Sequence, residues 1–172
     1  MYKQIKNYEW ANYNHPKAYF DPTSTNNILT YRNAVARTAE ALIKEGKNDK
    51  AKEIMDLIQE KIPYQRYSEG ITLFSFVPIY NKLGENEKAK ELQSFLQNRI
   101  TEEREYYQSL NEYDRMSVYN EMQQLLGQEQ YSVSGLIDYY LQTEKDTIKA
   151  LEYFKEYYTP IENRIKKIKA KV

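Results

Sequence analysis

One phrase recurs in this chain. Gly46-Lys-Asn-Asp-Lys-Ala51-Lys-Glu-Ile54 and Gly84-Glu-Asn-Glu-Lys-Ala89-Lys-Glu-Leu92 match almost residue for residue, 38 positions apart. Each copy follows an apolar helical stretch and opens another, so each reads as the tight corner of an α-hairpin, with glycine supplying positive φ. A hairpin standing alone leaves one apolar face wet. Successive hairpins must therefore stack into a shared core.

The rest of the pattern agrees with helices. Glycine and proline are scarce, at five each, and the chain is rich in Glu, Lys, Gln, Leu and Ala. Helical spacing runs through Ile28, Tyr31, Val35, Ala39 and Leu42, predicting a first helix over about 27–45 that Gly46 ends. A second helix over 48–62 carries Ala51, Ile54, Met55 and Ile58 and stops at Pro63. A third over 71–83 contains Pro78, which predicts a kink or a late start. A long fourth helix runs from about 86 to 110, and Asn111 with Asp114 forms a capping-box-like start for a fifth. Gly127 and Gly135 either break the next stretch or sit silently in it, and a last helix begins near Lys145 and bends at Pro160. The polar, aromatic segment 1–26 is read as an irregular N-terminal arm, laid against the helices by Trp10 and its tyrosines.

This arrangement resembles a tetratricopeptide array. In that pattern small residues sit where paired helices cross, here Ala39 with Ala51 and Val77 with Ala89, beside larger apolar ones such as Leu42, Met55, Tyr80 and Leu96. A third hairpin aligned on Ala150 and Phe154, with Leu141 before them, lacks a glycine corner. The fold expected is all-α: antiparallel helical hairpins stacked as a tetratricopeptide-like right-handed superhelix over 27–172, preceded by the arm.

Chemistry is hard to find in the sequence. There is no cysteine, which removes disulfides, thiolate nucleophiles and cysteine-ligated zinc. His15 is the one histidine, and it precedes a proline in loop-like sequence with no serine at a spacing that would mark a nucleophile. Glu102, Glu103 and Glu105 lie beside Arg99 and Arg104 and read as a solvated, ion-paired helix face. No phosphate loop or nucleotide fingerprint is present. Catalytic residues, cofactors and metal ligands are therefore expected to be none. Lys plus Arg equal Asp plus Glu at 25 each, so the field of the whole molecule offers no attraction to nucleic acid. The longest apolar run falls well short of the roughly 20 residues a spanning helix needs. Without a leader-like start, the chain is expected either to be cytosolic or to be cut from a longer protein.

Tyrosine stands out at 18 residues, with adjacent pairs at 106–107, 139–140 and 157–158. Such side chains suit a core and its rim, where one end is buried and the other wet. The concave face of an array is lined by the first helix of each hairpin, which points to Asn33, Ala36, Glu40 and Lys44, then Phe74, Asn81 and Lys82, and Tyr139 in a third unit. Arrays that clamp a peptide's terminal carboxylate carry Lys and Asn where this chain has Ala36 and Glu40, so that clamp is not expected. The basic end from Arg164 to Lys171 reads as a solvated helix terminus.

One stretch goes beyond general array character. Tyr8-Glu-Trp10, Pro16-Lys-Ala-Tyr19-Phe-Asp21, Tyr31-Arg32-Asn33-Ala-Val-Ala36-Arg37-Thr-Ala39-Glu-Ala-Leu42, Phe76-Val-Pro78-Ile-Tyr80 and the second copy of the phrase resemble the carboxy-terminal soluble part of a bacterial multi-spanning membrane family. That family is of unknown function and is similar to protein O-mannosyltransferases. The resemblance covers about two thirds of the chain and fades near Tyr106. It implies a non-catalytic scaffold or interaction domain of an inner-membrane protein, touching the membrane only through its parent and partnered by that parent or by another protein. It also maps the family's first helix onto Arg32, Asn33 and Arg37, and implies that Arg32 and Arg37 either dock the membrane part or bind an anionic group, or else form ion pairs with Asp21 or a helix carboxylate. A free-standing cytoplasmic adaptor, binding a peptide in its groove, is the alternative.

Overall fold

A computed structural model describes residues 1–10, 12–67, 71–142, 145–155 and 163. Among them every regular element is helical: α1 (Tyr2–Lys6), α2 (Pro22–Lys44), α3 (Asn48–Lys61), a 3₁₀ turn at Ile71–Ser75, α4 (Phe76–Lys82), α5 (Asn86–Ser109), α6 (Glu112–Ser117), α7 (Tyr119–Gln142) and α8 (Thr147–Tyr153). The all-α expectation holds.

The recurring phrase builds the same corner twice. At the end of α2, Gly46 adopts φ 70°. Its N–H donates to the Ile43 carbonyl at 3.0 Å, and that of Lys47 to the Leu42 carbonyl at 2.8 Å, the paired bonds of a Schellman cap. At the end of α4, Gly84 adopts φ 75°, and the N–H groups of Gly84 and Glu85 donate to Asn81 and Tyr80 at 3.0 and 2.9 Å. Each following helix starts in the same register, with Ala51 bonded to the Lys47 carbonyl and Ala89 to that of Glu85.

A third corner follows the same register without the glycine. Ala150 donates to the carbonyl of Asp146, and Lys145, five residues before this buried alanine as Gly46 and Gly84 are before theirs, has φ 52°. Positive φ is disfavoured for a residue with a Cβ, so the sequence hides this turn. α7 and α8 pack against each other beyond it.

The chain divides into two compact units, Met1–Leu92 and Gln93–Val172. In the first, α2 packs along α3 and also meets α4, while α1 lies on α3. Its core comprises Val35, Ala39 and Leu42 from α2, Ala51, Ile54, Met55 and Ile58 from α3, Phe76, Ile79 and Tyr80 from α4, and Ala89 and Leu92. Ala39, Ala51 and Ala89 are buried among these larger side chains. In the second unit the buried apolar side chains described are Leu96, Ile100, Leu125, Val133 and Ala150. Leu141 and Phe154, expected on the inner side of the third hairpin, are 44% and 42% exposed.

Several boundaries differ from expectation for local reasons. The arm is not wholly irregular, because residues 2–6 form α1 around the buried Ile5. α2 starts at Pro22, five residues before Asn27, because proline suits the first helical position, where its φ is already correct and its missing N–H has no helical partner to lose. Pro78 sits in the first turn of α4 for the same reason, so the third helix starts late, after the 3₁₀ turn. Asn111 caps α6 by accepting from the Asp114 N–H at 3.0 Å. The fifth helix is interrupted at Val118, where the Ser117 hydroxyl donates at 2.7 Å to the Asp114 carbonyl, the acceptor that a continuing helix would offer to Val118. Gly127 and Gly135 lie within α7 without breaking it. Pro160 and the basic end from Arg164 lie outside the described residues.

Candidate functional site

The arm is fastened to α2 and to the loop after α3 by aromatic rings and by Arg66. Trp10 lies 5.4 Å from the Tyr31 ring on α2 and 5.5 Å from Tyr8, and Tyr13 stacks on Phe20 at 4.3 Å while meeting Tyr67 edge-on at 5.8 Å. Aromatic pairs at such centroid distances add to the burial of their area. The Tyr67 hydroxyl donates to the Tyr13 carbonyl at 3.0 Å. Arg32, buried in α2, donates from Nη2 to the Tyr67 carbonyl at 2.6 Å. Arg66 donates to the carbonyls of His15 and Ala18 and lies 5.3 Å over the Tyr67 ring. Both guanidinium groups thus hold backbone of the arm or of the loop after α3. Burial pushes the Tyr13 phenol up.

A second polar cluster joins α3 to the start of α5. Lys52 pairs with Glu85, and Lys88 bridges Asp56 at 2.6 Å and Glu85 at 3.3 Å. The hydrogen bond from Lys52 holds the Glu85 carboxyl below its usual range, and the one to Asp56 raises the Lys88 ammonium. Tyr64 donates to Glu91 at 3.0 Å. Burial, reinforced by that carboxylate, pushes the Tyr64 phenol up to about 12. Burial also raises Tyr80, which has Asp56 nearby. Also on α3, Glu53 accepts from Tyr2 and Lys6 of α1, and the Lys6 bond is the leading cause of its lowered pKa.

The residues expected to bind a partner are spread over both units. Asn33 and Arg37 are exposed one turn apart on α2, the helix in which Arg32 points inward. Asn81 is half-buried and Lys82 exposed at the end of α4. Tyr139 falls in α7, and its side chain lies outside the described set. Ala36 and Phe74, expected to line the concave face, are buried instead. Sequence reasoning missed Arg66 and the bond from Arg32 to the Tyr67 carbonyl, because a backbone carbonyl acceptor leaves no mark in the sequence. It also missed Tyr2, Lys6 and Tyr64 as partners of Glu53 and Glu91, although those glutamates occupy the same place in the repeated phrase.

His15 Nδ1 accepts from the Lys17 N–H at 3.3 Å within its own turn, with its side chain exposed. Glu102 and Glu103 each lie 3.2 Å from the Arg99 guanidinium, as an ion-paired helix face would. Among the described residues no three His, Cys, Asp or Glu side chains are grouped to hold a metal ion, and no helix is long and apolar enough to cross a membrane. No family model, curated protein or solved structure matches the chain.

Proposed function

We propose that this chain is a non-catalytic scaffold or protein-interaction domain of tetratricopeptide type, appended to a membrane protein similar to protein O-mannosyltransferases. The observation that carries the reading is the corner recurring at Gly46, Gly84 and Lys145, each with a buried alanine five residues on. Hairpins joined by one kind of corner stack with a constant rotation, and the exposed faces of their first helices make an extended surface for another protein. In this reading Asn33 and Arg37 on α2, and Asn81 and Lys82 on α4, belong to that surface in the first unit, and Tyr139 is a candidate in the second unit's own hairpin. Arg32 sits behind it, holding the loop after α3 whose Arg66 and Tyr67 meet the arm.

The membrane parent is tested on the gene. The reading frame is expected to continue upstream of Met1 into a series of long apolar segments. A stop codon there, with no such segments, would move the assignment to a free-standing adaptor. The exposure of Asn33, Arg37 and Lys82 on two helices packed together favours that second reading. Its test is capture of partners by a chain carrying Asn33→Ala and Asn81→Ala. Unchanged capture argues against a groove there.

A further inference from the structure

The repeated phrase also repeats a seat for a neighbouring element. It places a lysine and a glutamate at matching positions on two helices: Lys50 and Glu53 on α3, Lys88 and Glu91 on α5. On α5 they are held by what precedes them, Lys88 by Asp56 of α3 and Glu91 by the Tyr64 hydroxyl. On α3 the same positions are held by α1. The Tyr2 hydroxyl and the Lys6 ammonium donate to Glu53, and Lys50 Nζ lies 5.6 Å from the centroid of the Tyr2 ring. A tyrosine hydroxyl thus reaches the corresponding glutamate in both places, from segments with no sequence in common. α1 takes on α3 the place that the preceding hairpin takes on α5.

We propose that the face of α3 around Lys50 and Glu53 is a helix-docking seat, occupied by the chain's own α1 and exchangeable for a partner helix of the same chemistry. That partner carries an aliphatic anchor with a tyrosine three residues before it and a lysine one residue after it, as Tyr2, Ile5 and Lys6 do. The hold of α1 suits exchange. A five-residue helix has no stability of its own, its polar contacts are exposed, and Ile5 is its one buried side chain. The Tyr8 and Trp10 rings, packed against Tyr31, keep the rest of the arm in place when α1 leaves. While tethered, α1 competes at high effective concentration, so a partner binds tightly only after displacing it. The seat stands whether or not a membrane parent exists.

The test uses the full-length chain labelled with ¹⁵N and carrying Ile5→Asp, which drives α1 off by placing a charge in an apolar site. A synthetic peptide of residues 1–9 is titrated in. The expected result is saturable movement of the amide signals of α3 around Lys50 and Glu53 back toward their wild-type positions, with at least about tenfold weaker binding to the wild-type chain. Adding Glu53→Gln should weaken the peptide by about fivefold. Should Ile5→Asp fail to fold, Tyr2→Ala with Lys6→Ala loosens α1 without touching the core, and the same titration applies. Amide signals of α3 that do not move, or that move equally in the wild-type chain, overturn the proposal.

Discussion

Lys145 holds a backbone conformation that Gly46 and Gly84 reach freely, and the three positions make opposite predictions. A Cβ built on Gly46 or Gly84 meets no atom within 4 Å, so the cost of Gly46→Ala or Gly84→Ala is that of the left-handed backbone alone. Each should lose about 1–2 kcal/mol in denaturant unfolding. Lys145→Gly removes the same strain, offset in part by the greater freedom of glycine in the unfolded chain, and should gain roughly 0.5–1 kcal/mol. A loss at position 145 would mean that the third corner is not of this kind. Arg32 supplies a second residue-level prediction. Arg32→Leu leaves the Tyr67 carbonyl without this donor and should cost about 1–3 kcal/mol, with faster proteolysis of the arm.

Between elements, the buried alanines of the recurring phrase are the sensitive points. Ala51 and Ala89 are 0% and 2% exposed, so Ala51→Leu or Ala89→Leu forces packed helices apart and should cost roughly 1–3 kcal/mol by thermal or denaturant unfolding. This much was legible in the sequence, because glycine at a corner is a direct trace of φ and a small residue on an apolar helix face marks a tightly packed position. The start of α2 was harder to read, since Thr23-Ser-Thr-Asn-Asn27 has the composition of a loop and only Pro22 marks the first turn. Arg66 left no trace, because carbonyl acceptors belong to every residue, and the third hairpin, aligned on Ala150, was legible without its corner, because lysine does not advertise positive φ. The ionic links between elements also predict a pH dependence. Glu53 and Glu85 have lowered folded-state pKa values, so the stability they lend is present above the ordinary carboxylate range and is lost as pH falls through the lowered values. Tyr64 runs the other way. Its raised pKa means a contribution intact below pH 10 and lost as pH climbs through about 12. A phenolate absorbance titration should show Tyr64 ionising after the exposed tyrosines; ionisation together with them would contradict its bond to Glu91.

Across the whole molecule, burial is uneven. The first unit supplies most of the described side chains that are fully buried, among them Ile28, Val35, Ile54, Met55, Ile58, Ile62, Leu73, Ile79 and Leu92. The second leaves Tyr113, Met116, Ile148 and Leu151 from half to four-fifths exposed, and α8 is only seven residues long. Tyrosine-rich composition hid this contrast, because the same residue type fills the core at Tyr13, Tyr67 and Tyr80 and faces water at Tyr106, Tyr113 and Tyr131. Periodicity says which face of a helix is apolar but not whether another helix covers it. Amide protection follows the buried apolar contacts that must break for local opening. Hydrogen exchange should therefore be slowest in α2 and α3 and at least about tenfold faster in α8, with α1 faster than the α3 helix on which it rests. Uniform protection across α3 and α8 would mean that the exposed face of α8 is covered in solution. A concentration dependence of that protection would then identify the cover as a second copy of the chain.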